Sequence, residues 1–341
     1  MDRDLLRACA RDLVAQGRGI LAADEDTDTI ARRFATAGVR SDVETRRRYR
    51  QMLFTTPGLV RHISGVILFE ETLEQRADDG RPLPKVLTDA GMIVGVTVDR
   101  GWVPLEGSPG ELVTDGLDGI EERLLRGRRL GARFAKWRSA LAIGDAIPTV
   151  RAIEANAQAN ARYAFLAQRA GLVPIVEPDV SMAGDHTIER CEEVTASALR
   201  AFYTALASEG VWLPGTLLKT NMILPGSDGR DHASVDQVAS ATSRCLRGAV
   251  PPEVPGIVLL SGGQGEIEAT AHLDAIVRMG RQPWEVSFAF GRALQGPALR
   301  AWAGNDANAG DAQAALSHRA RMCGLARSGA WSEMEEGATL R

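Results

Sequence analysis

The sequence predicts one α/β domain built as a (β/α)8 TIM barrel, and three observations carry that prediction. Eight short apolar runs recur at intervals of about 30 to 45 residues. Helix-patterned stretches separate them, the alternation expected of a parallel sheet wrapped by helices. Most runs end on a charged or polar residue, and in such a barrel the C-terminal strand ends converge on one mouth. A doubly wound open sheet is the alternative arrangement. At 341 residues the chain can bury a full core without disulfides or metal.

In order, the runs begin near Gly19, Gly65, Val94, Ala132, Val173, Gly215, Gly256 and Glu285. They are β-branched or aliphatic without strict alternation, as strands buried on both faces should be. Amphipathic stretches at 150–171, 186–210, 234–250 and 266–280 read as helices, several closing on glycine. A further helix is expected over 41–54, with Ser41 as N-cap and Glu44 completing a capping box. The barrel domain is placed at 1–328, with a mobile C-terminal tail at 329–341.

A net charge of −4 gives no electrostatic case for nucleic acid or an anionic membrane as partner. No apolar stretch approaches the length of a membrane span, and the charged N-terminus lacks the core of a signal peptide, so a cytoplasmic location is expected. Cys9, Cys191, Cys245 and Cys323 are far apart, and the five histidines are equally scattered. Neither a disulfide framework nor a metal site is expected, and no cofactor is called for.

The polar run ends are Asp24, Asp99, Lys136 with Arg138, Glu177, Lys219, Ser261-Gly262-Gly263 and Gly291-Arg292. Of the 40 basic residues only Lys85, Lys136 and Lys219 are lysine. In a chain that otherwise uses arginine for charge, a retained lysine points to chemistry that arginine cannot do. Lysine can lose its proton and add to a ketone to form an imine, whereas arginine stays protonated. Burial beside a second cation favours the neutral amine, and Lys136 is the obvious second cation for Lys219. A single charge after an apolar run often only marks where a strand leaves the core; a polar group on nearly every run marks an active site.

Seven blocks of the chain, in order from about Gly19 to Trp302, resemble the class I fructose-1,6-bisphosphate aldolases. They are Gly19 to Glu25, Ala77 to Pro82, Phe134 to Arg138, Pro174 to Pro178, Gly215 to Lys219, Leu260 to Gln264 and Gly291 to Gln295. The resemblance implies a metal-independent barrel, commonly a homo-oligomer. Its reaction would be reversible cleavage of a ketose phosphate to dihydroxyacetone phosphate and an aldehyde. It further implies that Lys219 forms the Schiff base beside Lys136, that Glu177 serves as general acid and base, and that Asp24 takes the C4 hydroxyl proton. Glu25 and Asp179 support these carboxylates. Ser261, Gly262, Gly263, Gly291 and Arg292 would hold the 1-phosphate, with Arg138 as a further contact.

The resemblance breaks on the aldehyde side. Where the family places serines for the 6-phosphate, this chain has Asp26 and Thr29, and where it places a lysine on the third strand there is Thr97. Arg32 or Arg100 could compensate. Otherwise the aldehyde lacks a phosphate, or carries an amine, as in a specialised biosynthetic pathway. The family's C-terminal tyrosine has no counterpart in Glu335 to Arg341. A non-catalytic sugar-phosphate-binding scaffold is the remaining reading, disfavoured because Asp24, Lys136, Glu177 and Lys219 are all present.

Overall fold

The computed structural model describes residues 1–230 and 232–337. Eight parallel strands close a barrel in chain order: β1 (Gly19–Ala23), β2 (Ile63–Leu68), β3 (Ile93–Thr97), β4 (Phe134–Leu141), β5 (Val173–Val180), β6 (Leu217–Thr220), β7 (Gly256–Leu259) and β8 (Glu285–Phe290). Closure comes from β1 pairing with both β2 and β8. A closed sheet has no edge, so every strand is paired on both sides. The TIM barrel expected from the sequence is the fold. Among the described residues no helix is long and apolar enough to cross a membrane.

Successive side chains of a strand point to opposite faces, and this parity sorts the molecule into two cores. The inner core holds Ile20 and Ala22 of β1, Ile67 of β2, Phe134 of β4, Val173 and Ile175 of β5, Leu217 of β6, Val258 of β7 and Ala289 of β8. Its lower end is plugged by the N-terminal helix Arg3–Leu13, which contributes Leu6, Ala10 and Leu13. The alternate residues, such as Leu21, Val66, Val176 and Leu218, pack outward against the helical ring. Because both faces are buried, the strands carry no polar alternation, which explains their uniformly apolar sequence.

The helices 150–171, 186–210, 234–250 and 266–280 anticipated from periodicity occur as Val150–Arg169, Ile188–Glu209, Val235–Ala249 and Glu266–Arg278. The expected capping box at Ser41 is not formed. The helix runs Val43–Phe54 and Asp42 is its N-cap, its carboxylate accepting from the Thr45 amide at 2.8 Å. An aspartate caps as well as a serine, and here it sits one residue closer to the helix. A two-stranded antiparallel hairpin, Trp102–Pro104 with Leu112–Thr114, rises after β3 and has no counterpart in the sequence reading. Beyond the barrel helices, the Trp331 amide donates to Asp274 at 3.0 Å and Glu336 pairs with Arg319 at 2.5 Å. Of the tail anticipated at 329–341, residues 338–341 lie outside the described residues.

One carboxylate braces β1 to the helical ring. Glu25, just past β1, accepts from Arg50 of helix Val43–Phe54 at 2.6 Å and from Gln295 at 2.9 Å, and also pairs with Arg33. Burial works to raise the Glu25 carboxyl, but Arg50 and Arg33 outweigh it and hold its pKa below the ordinary glutamate value. Phe134 plays the apolar equivalent at the barrel floor, where its ring fills the space above Gly65 and Gly95.

Replacing Glu25 by Gln leaves two guanidinium groups without their counter-ion, and is expected to cost about 3–5 kcal/mol in chemical unfolding at neutral pH. The folded pKa lies below the unfolded one, so the brace contributes fully above about pH 4.3 and is lost as pH falls through the folded value. The Gln variant should therefore lose less stability on acidification than the parent. At Gly95 a Cβ would fall inside the Phe134 ring. Gly95→Ala is expected to lower stability by about 1–3 kcal/mol, with Phe134→Leu restoring part of it; an additive double variant would count against this packing.

Candidate active site

On β1, β4, β5 and β6 the inner column is apolar low in the barrel and becomes charged at its C-terminal end. On β4, Phe134 sits in the floor and Lys136, two residues on, shares its face. On β5 the series is Val173, Ile175 and then Glu177, and on β6 it is Leu217 and then Lys219. On β1, Ile20 and Ala22 lead to Asp24. Register aligns these ends, since Thr97 lies opposite Lys136 and Arg138 opposite Glu177. Parity and register together deliver four charged side chains to one point.

There Lys219 Nζ lies 2.8 Å from Glu177 Oε1. Lys136 Nζ is 2.9 Å from Asp24, 3.6 Å from Asp99 and 3.7 Å from Glu177. Lys136, Glu177 and Lys219 are buried, at 5%, 2% and 6% exposure, so these contacts act in a poorly screened medium. Burial opposes the Lys136 ammonium, yet Asp24, Asp99 and Glu177 outweigh it and hold its pKa above that of an ordinary lysine. Burial likewise works to raise Asp24, but Lys136 and then Lys219 keep it below the usual carboxylate range. Among the described residues Glu177 Oε2 has no hydrogen-bond partner, which leaves a buried acceptor open beside Lys219.

These groups line a cavity of about 620 Å³ at the barrel mouth. One end of it is basic. Ser261 is buried, Gly262 and Gly263 adopt φ of +55° and +105°, and a Cβ on Gly263 would stand 3.3 Å from the Arg292 guanidinium. Positive φ at both glycines turns the β7 loop tightly beneath Arg292. Gly291 opens the helix Arg292–Trp302 with no side-chain cap, leaving its first amides available to an anion. Burial, then the neighbouring Arg33 and Arg138 charges, lower the Arg292 pKa, so three guanidinium groups converge here. Arg292 has no ion-pair partner among the described residues, whereas Arg138 is held by Asp179 at 2.5 Å and lies 4.8 Å from the Trp102 ring centroid. Opposed positive charge around a glycine cradle is a phosphate-binding arrangement.

The cavity lining also includes Asp26, Thr29, Thr97 and Asp99. Asp26 accepts from the Thr29 amide at 2.6 Å as N-cap of helix Thr27–Thr36. Thr97 Oγ1 donates to Asp99 at 3.0 Å. Arg32 donates to Thr29, so the arginine of that helix turned toward the mouth is Arg33, while Arg100 is exposed at the rim. Sequence reading left Asp99 without a role although it noted the residue at the end of a run. It gave no role to Arg33, Arg50, Gln295 or Trp102, because each acts through a contact with another element of the fold.

Comparison with known proteins fits this geometry. The family model for class-I fructose-bisphosphate aldolase matches residues 5–340. A Xanthomonas campestris protein named as a probable class 1 fructose-bisphosphate aldolase is 49% identical, covering 97% of this chain and 99% of its own. Mouse fructose-bisphosphate aldolase C is 47% identical over 95% of this chain and 90% of its own. The solved Plasmodium falciparum fructose-bisphosphate aldolase, crystallised with TRAP and a small-molecule inhibitor, superposes with a TM-score of 0.95 at 43% identity, covering 97% of this chain and 96% of its own. With a matching model over nearly its whole length and relatives well above 40% identity, the chain belongs to the class I fructose-bisphosphate aldolase family.

Proposed function

We propose that Lys219 is the imine-forming residue of a dihydroxyacetone-phosphate aldolase. The observation that carries this reading is the contact of Lys219 Nζ with Glu177 Oε1 at 2.8 Å, with Glu177 Oε2 unused and Lys136 alongside. Lys219 passes its ammonium proton to Glu177 and, as the free amine, attacks the C2 ketone. Glu177 donates to the carbinolamine hydroxyl, which leaves as water and yields the protonated imine. Asp24 removes the C4 hydroxyl proton, the C3–C4 bond breaks, and its electron pair passes into the iminium to give the enamine. The aldehyde departs, C3 is reprotonated, and water releases dihydroxyacetone phosphate. Ser261, Gly262, Gly263, Gly291 and Arg292 hold the 1-phosphate, with Arg33 and Arg138 adding positive field. Lys136 keeps the Asp24 carboxylate oriented, and Asp179 keeps Arg138 in place. The enzyme acts as a cytoplasmic homo-oligomer, for which light scattering in solution is the check.

A second reading alters the aldehyde alone. Thr97 stands where family members place a lysine, and Asp26 where they place a serine. Both changes remove attraction for a 6-phosphate, and an aldehyde without phosphate follows. Asp26 carries less of this reading than Thr97, because its carboxylate is committed to the helix cap.

Incubation with dihydroxyacetone phosphate followed by borohydride should leave one stable adduct, on Lys219. Lys219→Arg keeps the charge and should give none; an adduct on Lys136 instead would overturn the assignment. Glu177→Gln should still be trapped, but with cleavage slowed about 10²–10⁴-fold, the usual contribution of a positioned acid–base group. For the second reading, kcat/KM for fructose 1-phosphate should at least equal that for fructose 1,6-bisphosphate. A strong preference for the bisphosphate would refute it.

A further inference from the structure

The charges of the mouth are polarised, and the acidic pole is built around Asp99 rather than Asp26. Lys136 and Lys219 face three carboxylates, Asp24, Asp99 and Glu177. With both lysines protonated this cluster is one negative charge in excess, and passing a proton from Lys219 to Glu177 for imine formation leaves that excess at one. A partly buried surplus of one sign is stabilised by bringing in a group of the other.

Asp99 is where that surplus meets the open cavity. Its Oδ2 accepts from Thr97 Oγ1 at 3.0 Å and from the Arg138 amide at 3.3 Å, and faces Lys136 Nζ at 3.6 Å. Among the described residues its Oδ1 has only a long contact, 3.4 Å, with the Gly101 amide. The side chain is 12% exposed, so this oxygen is held in place and under-used, at the wall of the cavity. Thr97 is short, and its hydroxyl orients the carboxylate without neutralising it. No arginine side chain pairs with Asp99 among the described residues: Arg126 pairs with Glu74, and Arg123, which feels the Asp99 charge, directs its donors to the Val98, Gly116 and Asp118 carbonyls. Arg100 is exposed at the rim. At the opposite end, Arg292 with Arg33 and Arg138 forms the basic pole.

We propose that Asp99, oriented by Thr97, is the specificity-determining residue for the aldehyde half of the substrate, and that it takes a protonated amine. The substrate class is then a ketose 1-phosphate bearing an ammonium group at its far end. Its phosphate meets the arginines, and its amine donates to Asp99 Oδ1. This inference rests on the imine reading of Lys219 and adds a charge requirement to it.

The test compares kcat/KM for retro-aldol cleavage of 6-amino-6-deoxyfructose 1-phosphate, fructose 1-phosphate and fructose 1,6-bisphosphate, with borohydride trapping of dihydroxyacetone phosphate run in parallel. The amino ketose should be preferred over fructose 1-phosphate by about tenfold or more, and the bisphosphate should rank last. Asp99→Asn should bring the amino and hydroxy ketoses to within about twofold of each other while the Lys219 adduct still forms. Thr97→Lys, which keeps the carboxylate but sets an ammonium beside it, should invert the order toward the bisphosphate; Thr97→Ser should leave it unchanged. Bisphosphate preference in the unmodified enzyme, lost in Arg100→Ala, would mean that a rim arginine grips a phosphate and would overturn the proposal. An amine advantage that persists in Asp99→Asn would overturn it too. Trapping without any discrimination among the three ketoses overturns this inference alone, whereas no adduct at all overturns the imine reading with it.

Discussion

A buried ammonium surrounded by three carboxylates holds this mouth together. Lys136 contacts all three of Asp24, Asp99 and Glu177, which arrive from three different strand ends. Each of those carboxylates would be costly to bury without it, and Lys136 would be costly to bury without them. The cluster therefore exists only if the strands keep their register. A slip of one residue on any strand would turn its charged end into the outer core. What sets the register lies below: Phe134 over Gly65 and Gly95, and the N-terminal helix closing the floor.

The support extends outward through Glu25. It follows Asp24 in the chain but points to the ring, where Arg33, Arg50 and Gln295 meet it. Consecutive residues thus divide the labour, one carboxylate facing the reacting centre and the next anchoring the loop that carries it. Arg138 and Asp179 repeat the device two residues beyond Lys136 and Glu177, with Trp102 of the hairpin laid against the guanidinium. Both pairs give the charged mouth a rigidity that its loops would otherwise lack.

The two ends of the cavity differ in how their charge is balanced. At the Arg292 end, Arg33 and Arg138 have carboxylate partners in Glu25 and Asp179, whereas Arg292 has none among the described residues and is left to an incoming anion. At the Asp99 end the carboxylate is oriented but only partly satisfied. On the proposed reading, a substrate bridging these poles is held at both ends, with its reactive carbons over Lys219 and Asp24.

Much of this was legible in the linear chain. Eight apolar runs with polar ends were enough for the barrel, because a parallel strand buried on both faces must be continuously apolar and must change character where it emerges. Lys219, Lys136, Glu177 and Asp24 stood out as charged run ends for the same reason, the scarcity of lysine singled out two of them, and the family resemblance gave all four their roles. The ring of contacts behind them was not legible. Arg33, Arg50 and Gln295 reach Glu25 from different helices, and nothing local in sequence distinguishes them from other arginines and amides on amphipathic helices. The roles of Asp26 and Asp99 also required coordinates. Both are acids beside a strand end, but capping geometry occupies the first and leaves the second facing the cavity. Sequence determines which side chains end the strands, since that follows from chain-local burial; only closure of the barrel decides which of them meet, because that depends on register between strands far apart in the chain.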